Sequence, residues 1–168
     1  MKTIAIISQK GGSGKTTVAV HLAVCAERAG QVAAIIDLDP QASAFEWSSR
    51  RVAGSPEVIR AASEQLAVLL LQAKDNGADF AIIDTAPHSD KAATIAAGLA
   101  DVVLIPCRPA AFDVAAIPTT IDILKLAKAK DKAVILLNAV PPQGRSADEA
   151  ADGLADFTNV LPVRLAHI

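Results

Sequence analysis

Apolar residues along this chain come in unbroken runs that stop abruptly at polar or turn residues: KTIAIIS (2–8), VAAIID (32–37), FAIID (80–84), VVLIP (102–106), AVILLN (133–138) and NVLPV (159–163). Runs that are continuous rather than alternating predict strands buried on both faces. Between them lie alanine-rich segments with helical spacing, TTVAVHLAVCAERA, SEQLAVLLLQAKDN, DKAATIAAGLA and PTTIDILKLAKAKD, and a further helix is expected after DPQ, with Trp47 as a packing anchor. Gly30 and Gly77 fall where helix C-termini favour a left-handed residue. Strand and helix alternating at this length imply right-handed βαβ crossovers, hence an α/β doubly wound, mostly parallel sheet with helices on both faces. Residues 48–62 give no clear pattern. The last run is followed only by RLAHI, with no helix to cover its exposed face, so C-terminal helices that a complete domain of this kind would carry are expected to be missing.

The 168 residues suit one domain spanning 1–168, and the chain is long enough to bury one sizeable core. With 52 % apolar residues but only 3 % aromatics, that core must be built from Ala, Val, Ile and Leu. The longest uninterrupted apolar stretches, such as LAVLLL at 66–71, are far shorter than the roughly 18 residues of a membrane span. The N-terminal segment is too short for a signal peptide, so a cytoplasmic protein with no membrane partner is expected. Cys25 and Cys107 stand apart from each other and from any His cluster, which argues for two buried small hydrophobes rather than a disulfide or a metal site. A formal net charge of −2 does not advertise a polyanionic partner, although it leaves room for a local basic patch.

The chemistry is concentrated in QKGGSGKT, residues 9–16, directly after the first strand. Gly11, Gly12, Ser13 and Gly14 allow the backbone to curl with its N–H groups inward, and a helix starting near Lys15 adds the positive end of its dipole. Such a cradle suits phosphate. Lys15 would reach the β- and γ-phosphates of a nucleotide, and the Thr16 hydroxyl would ligate Mg²⁺. The usual pattern GxxxxGK[ST] requires glycine at position 9, where this chain has Gln9, so the loop is a variant in which Lys10 and the Gly11–Gly12 pair replace the opening. Asp84, closing FAIID, fits the role of holding Mg²⁺ through water. Asp37 and Asp39, in IIDLDPQ, would lie near the γ-phosphate if their strand neighbours the first.

Taken together, KGGSGKTT, IIDLDPQ and IIDTAP resemble the ParA/MinD group of deviant Walker-A ATPases, and CRPAAFD resembles the segment after the next strand in ParA-type partition proteins. The resemblance covers nearly the whole chain and implies a P-loop NTPase with ATP and Mg²⁺ as cofactors. It implies that Lys10 is the signature lysine that crosses a dimer interface to the partner's nucleotide. Lys15, Thr16 and Thr17 then belong to the phosphate loop, Asp39 positions the attacking water with Asp37 as its neighbour, Asp84 begins the second switch, and Asn138 reads adenine. Two lysines crowd a single γ-phosphate, whereas two facing loops can each lend Lys10 to the other. Added positive charge there would stabilise the transferring phosphoryl group as an arginine finger does.

The output that the resemblance implies is partition of plasmids or chromosomes, or positioning of another cargo. It would proceed by weak ATP hydrolysis, an ATP-dependent homodimer that binds DNA without sequence preference, nucleoid association in that state, and a ParB-like or other activating partner. Arg145, Arg164 and KLAKAKDK at 125–132 are the candidates for a basic patch, with a solvated helix face the plainer reading of the lysine run. A MinD-like membrane-associated division-site regulator and a metabolic P-loop ATPase remain the alternatives. His88 reads as a solvated loop residue, Arg108 as a loop cation, and Pro109 and Asp113 resemble family positions near the dimer interface.

Overall fold

A computed structural model describes residues 1–166; the last two residues of RLAHI, 167 and 168, lie outside the described residues. In chain order the elements are β1 (Lys2–Ile6), α1 (Lys15–Arg28), β2 (Ala33–Asp37), α2 (Ser43–Ser49), β3 (Glu57–Arg60), α3 (Leu66–Asp75), β4 (Phe80–Asp84), α4 (Asp90–Leu99), β5 (Val102–Cys107), α5 (Ala111–Val114), α6 (Ile117–Leu126), β6 (Ala133–Val140), α7 (Ser146–Leu154) and β7 (Asn159–Ala166). The strands form a seven-stranded sheet in the order β3-β2-β4-β1-β5-β6-β7, and every pair is parallel. This is the expected doubly wound α/β architecture, with one strand more than the apolar runs predict.

Side-chain alternation along the strands divides the core in two. Ile6, Ile35 and Ile82 pack with Val18, Ala19 and Ala23 of α1 and Ala44 of α2 on one face. Ala5, Ile36, Ile83 and Ile105 pack on the other face with Leu70 of α3, Ala93 and Ala97 of α4, Ile121 and Leu124 of α6, and Leu154 of α7. Both faces of the central strands are therefore dry, which is why those strands read as continuous apolar runs. Where α4 meets the sheet, Ala92, Ala93, Ala96 and Ala97 are all buried, and their small side chains let the helix approach closely.

The extra strand, β3, lies in the segment 48–62. It has only four residues, exposed at both ends and half-buried at the two in the middle, and pairs with β2 alone at the sheet edge. Two short helices, α5 and α7, also went unpredicted. The buried positions of α7 are Ala147, Ala150 and Leu154, a stripe too poor in large side chains to stand out. Helix α6 is shorter than its predicted counterpart. It ends at Leu126, and Lys128 adopts a left-handed φ of 52°, which turns the chain out of the helix before the rest of the lysine run. Gly30 and Gly77 do terminate helices with φ of 79° and 86°.

The last strand is longer than NVLPV and runs to Ala166. Its pairing with β6 slips between Val160 and Arg164, the stretch that contains Pro162, consistent with an edge position for a residue lacking an N–H. Val163 and Leu165 on this strand are exposed. Cysteine placement departs from expectation at one residue: Cys107 is buried, whereas Cys25 is exposed on α1.

Candidate functional site

The sheet order brings the carboxyl ends of β1, β2 and β4 together, because β4 lies between the other two. In register, Ile6 faces Asp84 and Asp84 faces Asp37. Ligands in open α/β sheets bind outside this rim. The loop from Ile7 to Gly14 leaves β1 there and feeds α1. Gly12 and Gly14 have φ of 71° and 95°, in the left-handed region where only glycine is unstrained. Among the described residues, none of the amides of residues 11–14 donates to another backbone carbonyl, and those amides lie at the positive end of a 14-residue helix.

A cleft of about 440 Å³ opens over this loop, lined by Gly11, Gly12, Gly14, Lys15, Thr16 and Thr17 on one side and by Asp39, Gln41, Ser43 and Pro87 on the other. Lys15 is buried, and its ammonium donates to the Lys10 carbonyl at 3.3 Å. Burial holds its pKa below the ordinary lysine value, opposed by the charges of Asp84 and Asp39. Burial thus disfavours the Lys15 positive charge, and the two carboxylates offset that only in part.

Asp84 is fully buried, and neither of its carboxylate oxygens has a hydrogen-bond partner among the described residues. Burial pushes its pKa up to about 7, and neighbouring Asp37 and Asp39 push the same way, while the nearby Thr16 hydroxyl and Lys15 charge oppose the rise. Ser13 Oγ is likewise buried and unpartnered. Native proteins rarely leave buried polar atoms unsatisfied. A hydroxyl and a carboxylate form a hard oxygen donor set that suits Mg²⁺, which keeps several waters and takes one or two protein oxygens. Thr16 and Asp84 therefore fit such an ion, Asp84 through water.

The second acidic loop has a different construction. Asp37 is buried at the end of β2, where Oδ1 accepts from the Asp39 amide at 3.0 Å and Oδ2 accepts from the Ala44 and Phe45 amides at 3.0 and 3.1 Å. Burial raises its pKa, and these three backbone donors work against that rise. Asp37 thereby ties the start of α2 to the loop that carries Asp39. The Asp39 carboxylate accepts from the Gln41 amide at 2.9 Å and forms part of the cleft wall. Thr85 fastens the neighbouring strand end by donating to the Ile6 carbonyl at 2.8 Å.

Of the sequence-predicted residues, Lys10, Ser13, Asp37, Asp84 and Asn138 lie outside the cleft lining. Asn138, two residues before the end of β6, donates from Nδ2 to the Ser13 carbonyl at 2.9 Å, so its amide nitrogen supports the loop. A Cβ on Gly14 would collide with that same amide group. The side chain of Lys10 is half-buried and forms no ion pair among the described residues. His88 is exposed and outside the lining. Trp47 is half-buried against the α1 core with Arg51 stacked 4.3 Å from its ring centroid, a packing anchor as expected.

Arg108 is more than a loop cation: its guanidinium donates to the Gly12 carbonyl. Its position directly after the β5 run, at the same sheet rim as the glycine loop, was the available signal. Among the candidate basic residues, Arg164 pairs with Asp148 and Lys125 with Asp122, each at 2.8 Å, and Lys132 donates to the Ala100 carbonyl. Arg145, Lys128 and Lys130 form no ion pair among the described residues.

Residues 4–163 match the family model described as the CobQ/CobB/MinD/ParA nucleotide binding domain. The chain is 32 % identical over 153 residues to the maintenance of carboxysome distribution protein A of Gloeobacter kilaueensis, covering 90 % of this chain and 68 % of that protein. It is 34 % identical over 117 residues to protein ParA of Rhizobium radiobacter, covering 67 % of this chain and 51 % of that one. The structure of nucleotide-free McdA from Cyanothece superposes with a TM-score of 0.81 at 21 % identity, over 98 % of this chain and 86 % of the other, a likeness of fold. With the glycine loop, the paired acidic strand ends and the family match in agreement, the chain belongs to the ParA/MinD family of P-loop nucleotide-binding ATPases.

Proposed function

We propose that this chain binds ATP with Mg²⁺ in the cleft above the 9–16 loop, hydrolyses it weakly, and uses the ATP state to dimerise and to position a cargo. The observation that carries the reading is the convergence of the glycine loop, Lys15, Thr16 and Asp39 on one cleft, with the buried Asp84 carboxyl outside the lining but next to Thr16 and Lys15. In this reading the amides of Gly11, Gly12, Ser13 and Gly14, with Thr17, surround the phosphates. Lys15 places a compact charge beside the β- and γ-phosphates. Thr16 and, through water, Asp84 hold Mg²⁺, which when bound neutralises charge on the phosphate oxygens. Asp39 orients the attacking water, and Asp37 fixes the Asp39 loop through its three backbone bonds. Asn138 holds the loop through the Ser13 carbonyl, and in this reading it also contacts adenine.

Lys10 has a separate task. Its carbonyl serves Lys15, while its side chain lies outside the cleft lining, which suits donation to the nucleotide of a facing copy. Lys10→Ala is expected to leave ATP binding to the monomer largely intact and to abolish ATP-dependent dimerisation, read by light scattering on a sizing column. Dimers that persist with ATP refute the role in trans.

Distribution of a cargo, as the carboxysome relative's name describes for that protein, is the output this reading favours. Non-specific DNA bound by the ATP dimer and a ParB-like or other activating protein would be its partners, with nucleoid association in that state. No helix among the described residues is long and apolar enough to cross a membrane.

A further inference from the structure

Two consecutive carbonyls of the glycine loop are held by side chains from neighbouring strands: Ser13 by Asn138 near the end of β6, and Gly12 by Arg108 just after β5. A trans peptide unit points its C=O and the following N–H in opposite directions. Tying the Gly12 carbonyl down therefore aims the Ser13 amide the other way, into the cradle. Tying the Ser13 carbonyl does the same for the Gly14 amide. The Arg108 guanidinium is in turn flanked by Asp113, a buried residue of α5 whose Oδ1 lies 3.9 Å from Arg108 Nε and makes no hydrogen bond of its own. A Cβ on Gly12 would stand 2.7 Å from Arg108 Nη2, so the guanidinium packs directly over Gly12.

We infer that Arg108, oriented by Asp113, is a positioning residue that holds the Gly12–Ser13 peptide with its N–H facing the bound phosphates. This rests on the nucleotide-site reading above and adds to it a part outside the glycine loop. Without the guanidinium the peptide is free to flip, and the phosphate-ready loop becomes one of several populated conformers. Apparent affinity then falls by the fraction of time the loop is ready. Lysine can supply a donor but not a planar fork that meets both the Gly12 carbonyl and Asp113.

The test is calorimetric titration of ADP with Mg²⁺ into the wild-type chain, Arg108→Ala, Arg108→Lys, Gly12→Ala and the Gly12→Ala/Arg108→Ala double variant, with nucleotide-free thermal melts alongside. Arg108→Ala is expected to bind ADP about tenfold more weakly with an unchanged melting midpoint, and Arg108→Lys to recover part of the loss. Gly12→Ala should weaken binding less in the Arg108→Ala background than in the wild type, because the collision is gone. Wild-type affinity in Arg108→Ala, or a loss that only tracks a lowered melting midpoint, overturns the inference while leaving the nucleotide site standing. A wild-type chain that takes up no ADP overturns the nucleotide reading and this inference with it.

Discussion

Replacing Asp84 by Asn should stabilise the nucleotide-free protein at high pH and not at low pH. The carboxyl is fully buried, its two oxygens are unpartnered, and its pKa rises from 3.8 to about 7 on folding, chiefly through burial. Below pH 3.8 the group is protonated in both folded and unfolded chains and favours neither. Between 3.8 and 7 the folded chain retains a proton that the unfolded chain releases, so stability falls as pH rises. Above 7 both forms are ionised, and the folded state carries the full cost of a desolvated charge. At 1.36 kcal/mol per pH unit that cost is on the order of 4 kcal/mol, a large share of the roughly 5–15 kcal/mol that holds a domain of this kind together. An Asn amide is also unsatisfied there, but its penalty does not change with pH and cancels when two pH values are compared. Urea denaturation of wild type and Asp84→Asn at pH 4.5 and pH 8 measures the difference. The variant should gain about 3 kcal/mol over wild type between those pH values, since part of the effect lies below pH 4.5, and should lose Mg²⁺-dependent tightening of ADP binding. A wild-type stability that does not fall between pH 4.5 and 8 relative to the variant would refute the claim that Asp84 is a buried carboxyl whose desolvation Thr16 and Lys15 offset only in part.

Asp37→Ala removes the acceptor for the Asp39, Ala44 and Phe45 amides; it should cost about 1–3 kcal/mol of stability and lower kcat through misplacement of Asp39, checked by urea denaturation and steady-state ATPase assays. Asn138→Ala releases the Ser13 carbonyl and should weaken ADP binding severalfold, measured by titration calorimetry. Any DNA binding by the ATP state should weaken steeply with salt through phosphate contacts; Lys130→Ala should shallow that slope in an anisotropy titration, and Lys125→Ala, whose ammonium is already paired with Asp122, should shallow it less.

The central strands and the glycine loop were legible because their physics is local. A strand dry on both faces must be apolar throughout, and a left-handed peptide beside a helix start needs glycine, as at Gly12 and Gly14. Asp37 and Asp84 were legible as strand-end carboxylates, but not their contrast: the first is saturated by backbone donors and the second has none, a difference set by the path of the loop into α2. Strand β3 was hidden because one neighbour and half-burial leave little hydrophobic pattern, and α7 because alanines bury its stripe. The link from Arg108 to Gly12 joins residues 96 apart in sequence, so only the sheet order that places β5 beside β1 makes it visible.

The account depends most on a triphosphate seated over the loop between β1 and α1. Calorimetric titration of ATP into the purified chain, with Mg²⁺ and again with a chelator, tests this directly. Saturable binding of one ATP per chain that tightens with Mg²⁺, and is lost in Lys15→Ala at unchanged fold, is the expected result. A folded wild-type chain that shows no binding heat with Mg²⁺ and ATP would contradict it.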